Sequence, residues 1–274
     1  MQLICLAVFN IFFSITAFLG NSLILVALHK ESSLHPPMKL FFRCLAISDN
    51  CVGLFSEPLI VMYWMSVVHE RWDICPHALT LSVITTMILC AVSLLTLTAI
   101  SVDRLLALSL GLRYRHVTLK RAYRIVTVFW VGTIFGATTY FWNYHITLWY
   151  RYIGVVLCLV IATFSYGKIF LTLRQHMTQV QIPRQPSQAV PLNVARYRKA
   201  LSTALWLEFT MIVCYLPFCL TEALTTQKGL SSSLYVAREF VSTLIFLNSS
   251  LNPILYCWKI REVKQAVKNT IRQL

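Results

Sequence analysis

One carboxylate, Asp49, lies in the middle of an apolar run, Leu45-Ala46-Ile47-Ser48-Asp49. A charge at that depth in a bilayer costs about 2.5–3.5 kcal/mol on insertion scales, so the residue needs partners. Ser93, Asn248, Ser249 and Asn252 fall at the same expected depth in other apolar runs, and so does Asn21. A carboxylate among hydroxyl and amide oxygens has the donor set for a small hard cation such as sodium. The same residues fit a protonated, hydrogen-bonded acid, or polar groups that tie helices together. Spacing leaves these alternatives open.

Two prolines interrupt apolar runs, in Leu216-Pro217 and in Asn252-Pro253-Ile254-Leu255-Tyr256. Each removes a backbone donor and kinks its helix. In lipid the freed carbonyl must find a partner within the protein. Asn252, beside Pro253, is the expected partner. Two hinged helices would then border one cavity, with Tyr256 one turn further towards the exit. Glu208, in the same run as Pro217, is expected as a protonated acid hydrogen-bonded to a neighbour. Asp103-Arg104 closes another run. The pair fits simple snorkelling. It also fits a latch in which Asp103 holds Arg104 at rest and releases it to another partner. Cys75-Pro76-His77, with His69 nearby, matches no strong metal template.

These residues need long apolar elements to position them. The chain has 274 residues, 57% hydrophobic and only 12% charged, which leaves too little polar surface for a soluble domain of this size. A spanning helix needs about 20 apolar residues, and seven such runs are read at 2–28, 38–66, 76–108, 120–142, 149–175, 198–224 and 233–257. The expected fold is all-α: a single seven-transmembrane helix bundle over 1–274. No internal repeat is visible, which argues against transporters built from duplicated halves. Met1 runs almost directly into the first helix, so neither a cleaved signal peptide nor a large peptide-capturing ectodomain is expected.

The net charge of +14 is set by topology rather than nucleic acid. Arg71, Arg151, Lys228 and Arg238 fall at one set of helix ends, and the rest of the 24 Lys and Arg at or towards the other. This positive-inside pattern places the N-terminus outside and the C-terminus in the cytoplasm. The basic face would attract anionic inner-leaflet lipid. The nine cysteines do not form a disulfide framework, since eight lie within helical runs and Cys75 has no outer partner. Loops are short: His29–Pro37, the basic Gly111–Lys120, the very short outer Asn143–Leu148, and the longest, Met177–Val194, read as mobile and cytoplasmic. Beyond Tyr256, Ile260, Val263, Val267 and Ile271 recur at helical spacing against Lys259, Arg261, Lys264, Lys268 and Arg272. This predicts an amphipathic helix over 259–272 on the inner membrane surface.

Taken together, the motifs resemble those of rhodopsin-like (class A) G-protein-coupled receptors along the whole chain. Asn21 looks like the first-helix asparagine and Asp49 the sodium-site aspartate, with Ser93, Asn248, Ser249 and Asn252 at that site's other positions. Asp103-Arg104 resembles the start of the third-helix triplet, and Trp130 the fourth-helix tryptophan. Tyr166 resembles the fifth-helix tyrosine that meets the arginine and Tyr256 on activation. Leu105 replaces the usual tyrosine after the arginine, and Tyr215 the toggle tryptophan before Pro217. Cys158 replaces the fifth-helix proline, and Leu79 the third-helix disulfide cysteine. The last two losses resemble the melanocortin, cannabinoid, sphingosine-lipid and adenosine cluster.

The resemblance implies a plasma-membrane receptor, not an enzyme, that binds an extracellular small ligand and activates a heterotrimeric G protein. It implies no cofactor beyond a candidate sodium ion. The implied cavity wall is Thr86, Cys90, Tyr150, Tyr215, Phe218, Cys219, Glu222, Arg238 and Ser242. Thr86 stands where aminergic receptors carry an aspartate, and Phe246 where opsins carry the retinal lysine. Arg238 and Glu222 are also expected to pair with each other or with Glu239 at the rim. The switch set is Asp103, Arg104, Tyr166, Pro217, Pro253 and Tyr256. A membrane transporter or channel, or a receptor-like protein with weak signalling, are the alternatives.

Overall fold

The computed structural model describes residues 1–30, 34–111, 114, 119–180, 190–229, 231–259 and 261–272. Among these, seven helical segments are long and apolar enough to cross a membrane. The first span is Gln2–Lys30. The second combines Pro36–Cys51, a π-helical turn Val52–Ser56 and Glu57–Val68. The third is Cys75–Leu110, the fourth Leu119–Trp142 and the fifth Tyr144–Val180. The sixth is Val190–Lys228, the seventh Ser232–Lys259, and a short helix Arg261–Ile271 follows.

The bundle buries polar side chains within a largely apolar core and keeps an apolar outside, which a water-soluble protein would not. Asn10, Asn21, Ser48, Asp49, Glu57, Ser93, Thr96 and Ser101 have no exposed surface, whereas Val128, Phe135, Phe141, Phe164 and Ile254 are each more than 60% exposed. In lipid, an apolar exterior carries no penalty and buried polar groups must satisfy one another. The third span runs through the middle and contributes buried side chains from Ala78 to Asp103. The fourth buries only Ala122, Thr133, Gly136 and Ala137, so it lies at the periphery.

The π turn in the second span lies where that span meets the first. Ser14 of the first span donates its hydroxyl to the Gly53 carbonyl at 2.6 Å. A Cβ on Gly53 would stand 2.8 Å from the Ser14 carbonyl oxygen, so only glycine allows this approach. The inserted residue rotates everything beyond it. Ser56 and Glu57 are thereby turned into the interior, both fully buried.

Connections differ from the sequence expectation in two places. The fourth and fifth spans are separated by Asn143 alone, rather than by Asn143–Leu148. Asn143 Oδ1 accepts the His145 backbone N–H at 2.8 Å and caps the fifth helix, so Tyr144–Leu148 are helical. On the opposite face, Met177–Val180 and Val190–Val194 continue the fifth and sixth helices. What is left of the expected long loop, 181–189, lies outside the described residues, as do 31–33 and most of Gly111–Lys120.

The C-terminal helix buries Val263, Ala266, Val267 and Thr270 and exposes Lys264 and Lys268, packing on the first and seventh spans. Ile271, expected on the apolar face, is 56% exposed, because the buried stripe ends at Thr270. Ile260 and the side chains of Lys259 and Arg261 lie outside the described residues.

Candidate functional site

The centre of the bundle is organised around Asp49. Ser93 of the third span donates to Asp49 Oδ1 at 2.7 Å, and Ser249 of the seventh donates to the same oxygen at 2.9 Å. Asn252, one turn beyond Ser249, donates its amide N–H to Oδ2 at 2.7 Å. All four residues are at most 1% exposed. Three spans therefore converge on one carboxyl, and water-excluded hydrogen bonds of this kind are strong where all members are satisfied. Asn248 is also buried, but it does not join: neither of its amide atoms has a hydrogen-bond partner among the described residues.

The proline kink is satisfied differently from what the sequence predicts. Pro253 frees the carbonyl of Ser249, four residues earlier. Asn21 of the first span fills that vacancy, donating to the Ser249 carbonyl at 3.1 Å while also reaching the Ala17 carbonyl at 2.9 Å. Asn252, the expected partner, is directed to Asp49 instead. Gly20 makes this possible, since a Cβ there would stand 3.0 Å from Pro253 Cγ. Gly20 admits the proline ring and Asn21 repairs the helix it breaks.

At the basic end, Tyr114 donates to Asp103 Oδ1 at 2.6 Å, and its ring lies 5.1 Å from that of His35. Tyr114 lies outside the spans. Burial, and then the neighbouring carboxylate, push its phenol above the ordinary value, so it stays the donor. Sequence spacing suggested an Asp103–Arg104 latch. Asp103 accepts a hydrogen bond from this loop tyrosine, which no local motif foretells. Tyr166 accepts a hydrogen bond from Ser101 at 2.7 Å rather than meeting Tyr256. Tyr256 is buried with its ring edge-on to Phe42 at 5.0 Å, and its hydroxyl has no hydrogen-bond partner among the described residues. Glu208 accepts from Thr163 as expected, although its second oxygen is unpartnered.

At the opposite end a cavity of about 220 Å³ opens between the second, third, fifth, sixth and seventh spans. Thr86, Cys90, Tyr150, Tyr215, Phe218, Arg238 and Ser242 line it. Cys219 and Glu222, also expected in the wall, do not. Glu222 lies behind the wall, its carboxylate 3.3 Å from Arg238 Nε. Residues that sequence reasoning did not place in the wall include Arg151, whose guanidinium carbon is 4.8 Å from the Phe218 ring centroid, and Glu239. Glu239 Oε2 accepts the indole N–H of fully buried Trp64 at 2.8 Å, and Tyr63 meets Tyr235 at 3.2 Å, clasping the second span to the seventh.

Residues 20–141 and 133–256 match the family described as 7 transmembrane receptor (rhodopsin family). The chain belongs to that family. The receptor is thus a multi-pass membrane protein, and its family is one of receptors rather than enzymes. All nine of its cysteines are free.

One residue of this receptor was not anticipated at all. Glu57 is fully buried, and neither carboxyl oxygen has a hydrogen-bond partner among the described residues. The only signal in the sequence is a lone acid before Pro58 in an apolar run, and the π turn that buries it depends on a contact with the first span.

Proposed function

We propose that this receptor binds a small extracellular ligand in the outer cavity and activates a heterotrimeric G protein at its basic face. It acts from the plasma membrane with its N-terminus outside. The observation that carries the reading is the layered arrangement along the bundle. The cavity floor contains Tyr215, next to Pro217, and Phe246. Below it lies the Asp49 network, which ties together three spans. Below that lie Tyr166, Tyr256 and the Asp103–Tyr114 bond.

In this mechanism the sixth span pivots at Pro217 and its inner end moves outward. The opened pocket, lined by Arg104, Tyr166 and Tyr256, receives a helix of the G protein and promotes nucleotide release. An unsatisfied buried hydroxyl costs about 1–3 kcal/mol. Tyr256 carries that cost in the present conformation and loses it on meeting Tyr166 or Arg104. Ligand and G protein are coupled because both favour the same state.

Sodium fits the Asp49 network. Asn248 Oδ1 and Asn252 Oδ1 are buried without partners and add neutral oxygens to those of Asp49, Ser93 and Ser249. A bound cation would supply the positive charge that three neutral donors do not.

The test is Arg104→Ala, followed by nucleotide exchange across a panel of G proteins, both basal and after a ligand-library screen. The expected result is normal surface expression with exchange lost. Exchange at the parent level in that variant overturns the mechanism.

A further inference from the structure

Four charged side chains lie in or directly behind the wall of the outer cavity. Arg151, Arg238 and Glu239 line it, and Glu222 stands behind. Each is engaged by the protein. Glu239 accepts the indole N–H of buried Trp64 at 2.8 Å. Arg238 meets the Glu222 carboxylate at 3.3 Å. Arg151 lies over the Phe218 ring, its guanidinium carbon 4.8 Å from the centroid. Both arginines make a further interaction within the protein. Two guanidiniums and two carboxylates also balance one another in charge. A charged ligand group would leave water for a site whose charges already hold one another, and its desolvation would go uncompensated.

The uncharged wall is mainly apolar and polarisable. The third and fifth spans contribute Met87, Cys90 and Cys158, and the sixth and seventh contribute Tyr215, Phe218 and Phe246. Sulfur atoms and ring faces both favour contact with an aromatic body. Thr86 and Ser242 add hydroxyls, and that of Ser242 already donates to the Arg238 carbonyl at 2.9 Å. A hydroxyl can meet a neutral polar group but cannot serve as a counter-ion. Size narrows the class further. An apolar cavity of about 150 Å³ takes benzene. The volume here, about 220 Å³, is roughly half as large again, enough for two fused rings.

We propose that the cavity takes an uncharged, ring-bearing molecule of about two fused rings, held by the aromatic and sulfur-bearing wall, and that it excludes anions and cations of the same size. This rests on reading the cavity as the receptor's ligand site.

The test uses three probes that share a two-ring body: 2-naphthalenemethanol, 2-naphthoate and 2-naphthylmethylammonium. Benzyl alcohol and 9-anthracenemethanol bracket the size. Each is added at equal concentration to purified receptor in nanodiscs of zwitterionic lipid, and thermal unfolding is followed with a thiol-reactive dye that reports exposure of the buried cysteines. 2-Naphthalenemethanol should raise the midpoint, more than either size control, and the two charged probes should not. Gly154→Leu should abolish that shift. Arg151, Gly154, Val155 and Cys158 all line the cavity and share one face of the fifth helix by their spacing. A Cβ on Gly154 meets nothing within 4 Å, so the leucine fills ligand space without breaking a contact. Leucine is also the better helix former, which favours folding of the variant. Glu222→Gln removes one of the two carboxylates and leaves the wall net positive, so 2-naphthoate should begin to stabilise that variant.

Equal or greater stabilisation of the parent by either charged probe overturns the proposal, as does absence of any shift from 2-naphthalenemethanol. A shift that persists in Gly154→Leu reports partition into the nanodisc lipid and overturns it too. A larger shift from 9-anthracenemethanol overturns the two-ring size. If 2-naphthoate stays inert in a folded Glu222→Gln, charge balance is overturned as the reason for exclusion. G-protein exchange is measured separately. Stabilisation by 2-naphthalenemethanol with no change in exchange, up or down, leaves the ligand class standing and removes the signalling reading. Exchange driven by a charged probe alone does the reverse.

Discussion

Replacing Asp49 with alanine removes the acceptor of three hydrogen bonds at once. The donors are the Ser93 and Ser249 hydroxyls and the Asn252 amide, at 2.7, 2.9 and 2.7 Å, in a region with at most 1% exposure. Each orphaned buried donor costs about 1–3 kcal/mol. The two serines can limit their share by turning to the carbonyl four residues back, as Ser165 and Thr96 do at 2.8 and 2.7 Å. Asn252 has the same kind of retreat, as Asn10 and Asn21 show at 2.9 Å, but gives up its 2.7 Å contact to the carboxyl. With a small void added, the expected loss is about 2–4 kcal/mol. Asp49→Asn keeps the shape. Its carbonyl can take both serines, and its N–H can meet Asn252 Oδ1, which has no partner among the described residues, once that amide flips. The expected loss is below about 1 kcal/mol.

The assay is unfolding of the purified, ligand-free receptor in sodium chloride and in choline chloride. The parent should be more stable in sodium, and Asp49→Asn should lose that difference while otherwise unfolding near the parent. An equal, large loss in both variants would show that the charge, not the hydrogen-bond count, holds the network. A sodium effect undiminished in Asp49→Asn would refute the ion site.

Two further perturbations test the packing. A Cβ on Gly136 would overlap the Tyr150 ring, whereas one on Gly132, a turn away, meets nothing within 4 Å. Gly136→Ala should therefore cost about 1–3 kcal/mol, and Gly132→Ala should be close to neutral. Equal midpoints for the two would show that Tyr150 does not rest in this notch. Glu57→Met replaces a buried, unpartnered carboxyl with an apolar chain of similar length and should stabilise by about 1–3 kcal/mol. A lower unfolding midpoint in that variant would mean that the carboxyl has a partner the protein depends on.

The seven spans were legible because a bilayer demands apolar runs of about 20 residues, and that constraint is local. The helices nonetheless extend past the expected ends, most at Val190, since polar residues continue a helix once they have left the lipid. The composition of the central network was legible too, because polar residues are rare at that depth. Its wiring was not. Asn252 is the chain neighbour of Pro253, yet Asn21, from the other end of the chain, repairs the kink. Asn248 has the same chemistry as Asn252 but makes no bond to Asp49. Sequence gives depth along a helix, and the direction each side chain faces follows from how the helices rotate and approach.

The amino-acid sequence by itself determined that this is a membrane bundle, which helices bend, and which polar residues share its middle layer. Helix formation and membrane insertion depend on local composition. Tertiary structure alone decided the π turn that buries Glu57, the removal of Cys219 and Glu222 from the cavity wall, the placement of Arg151 and Glu239 within it, and the pairing of Asp103 with a loop tyrosine. The π turn and the cavity wall rest on contacts between segments distant in the chain, and the Asp103–Tyr114 bond on a loop that folds back against its own span, so their energy exists only once the chain has packed.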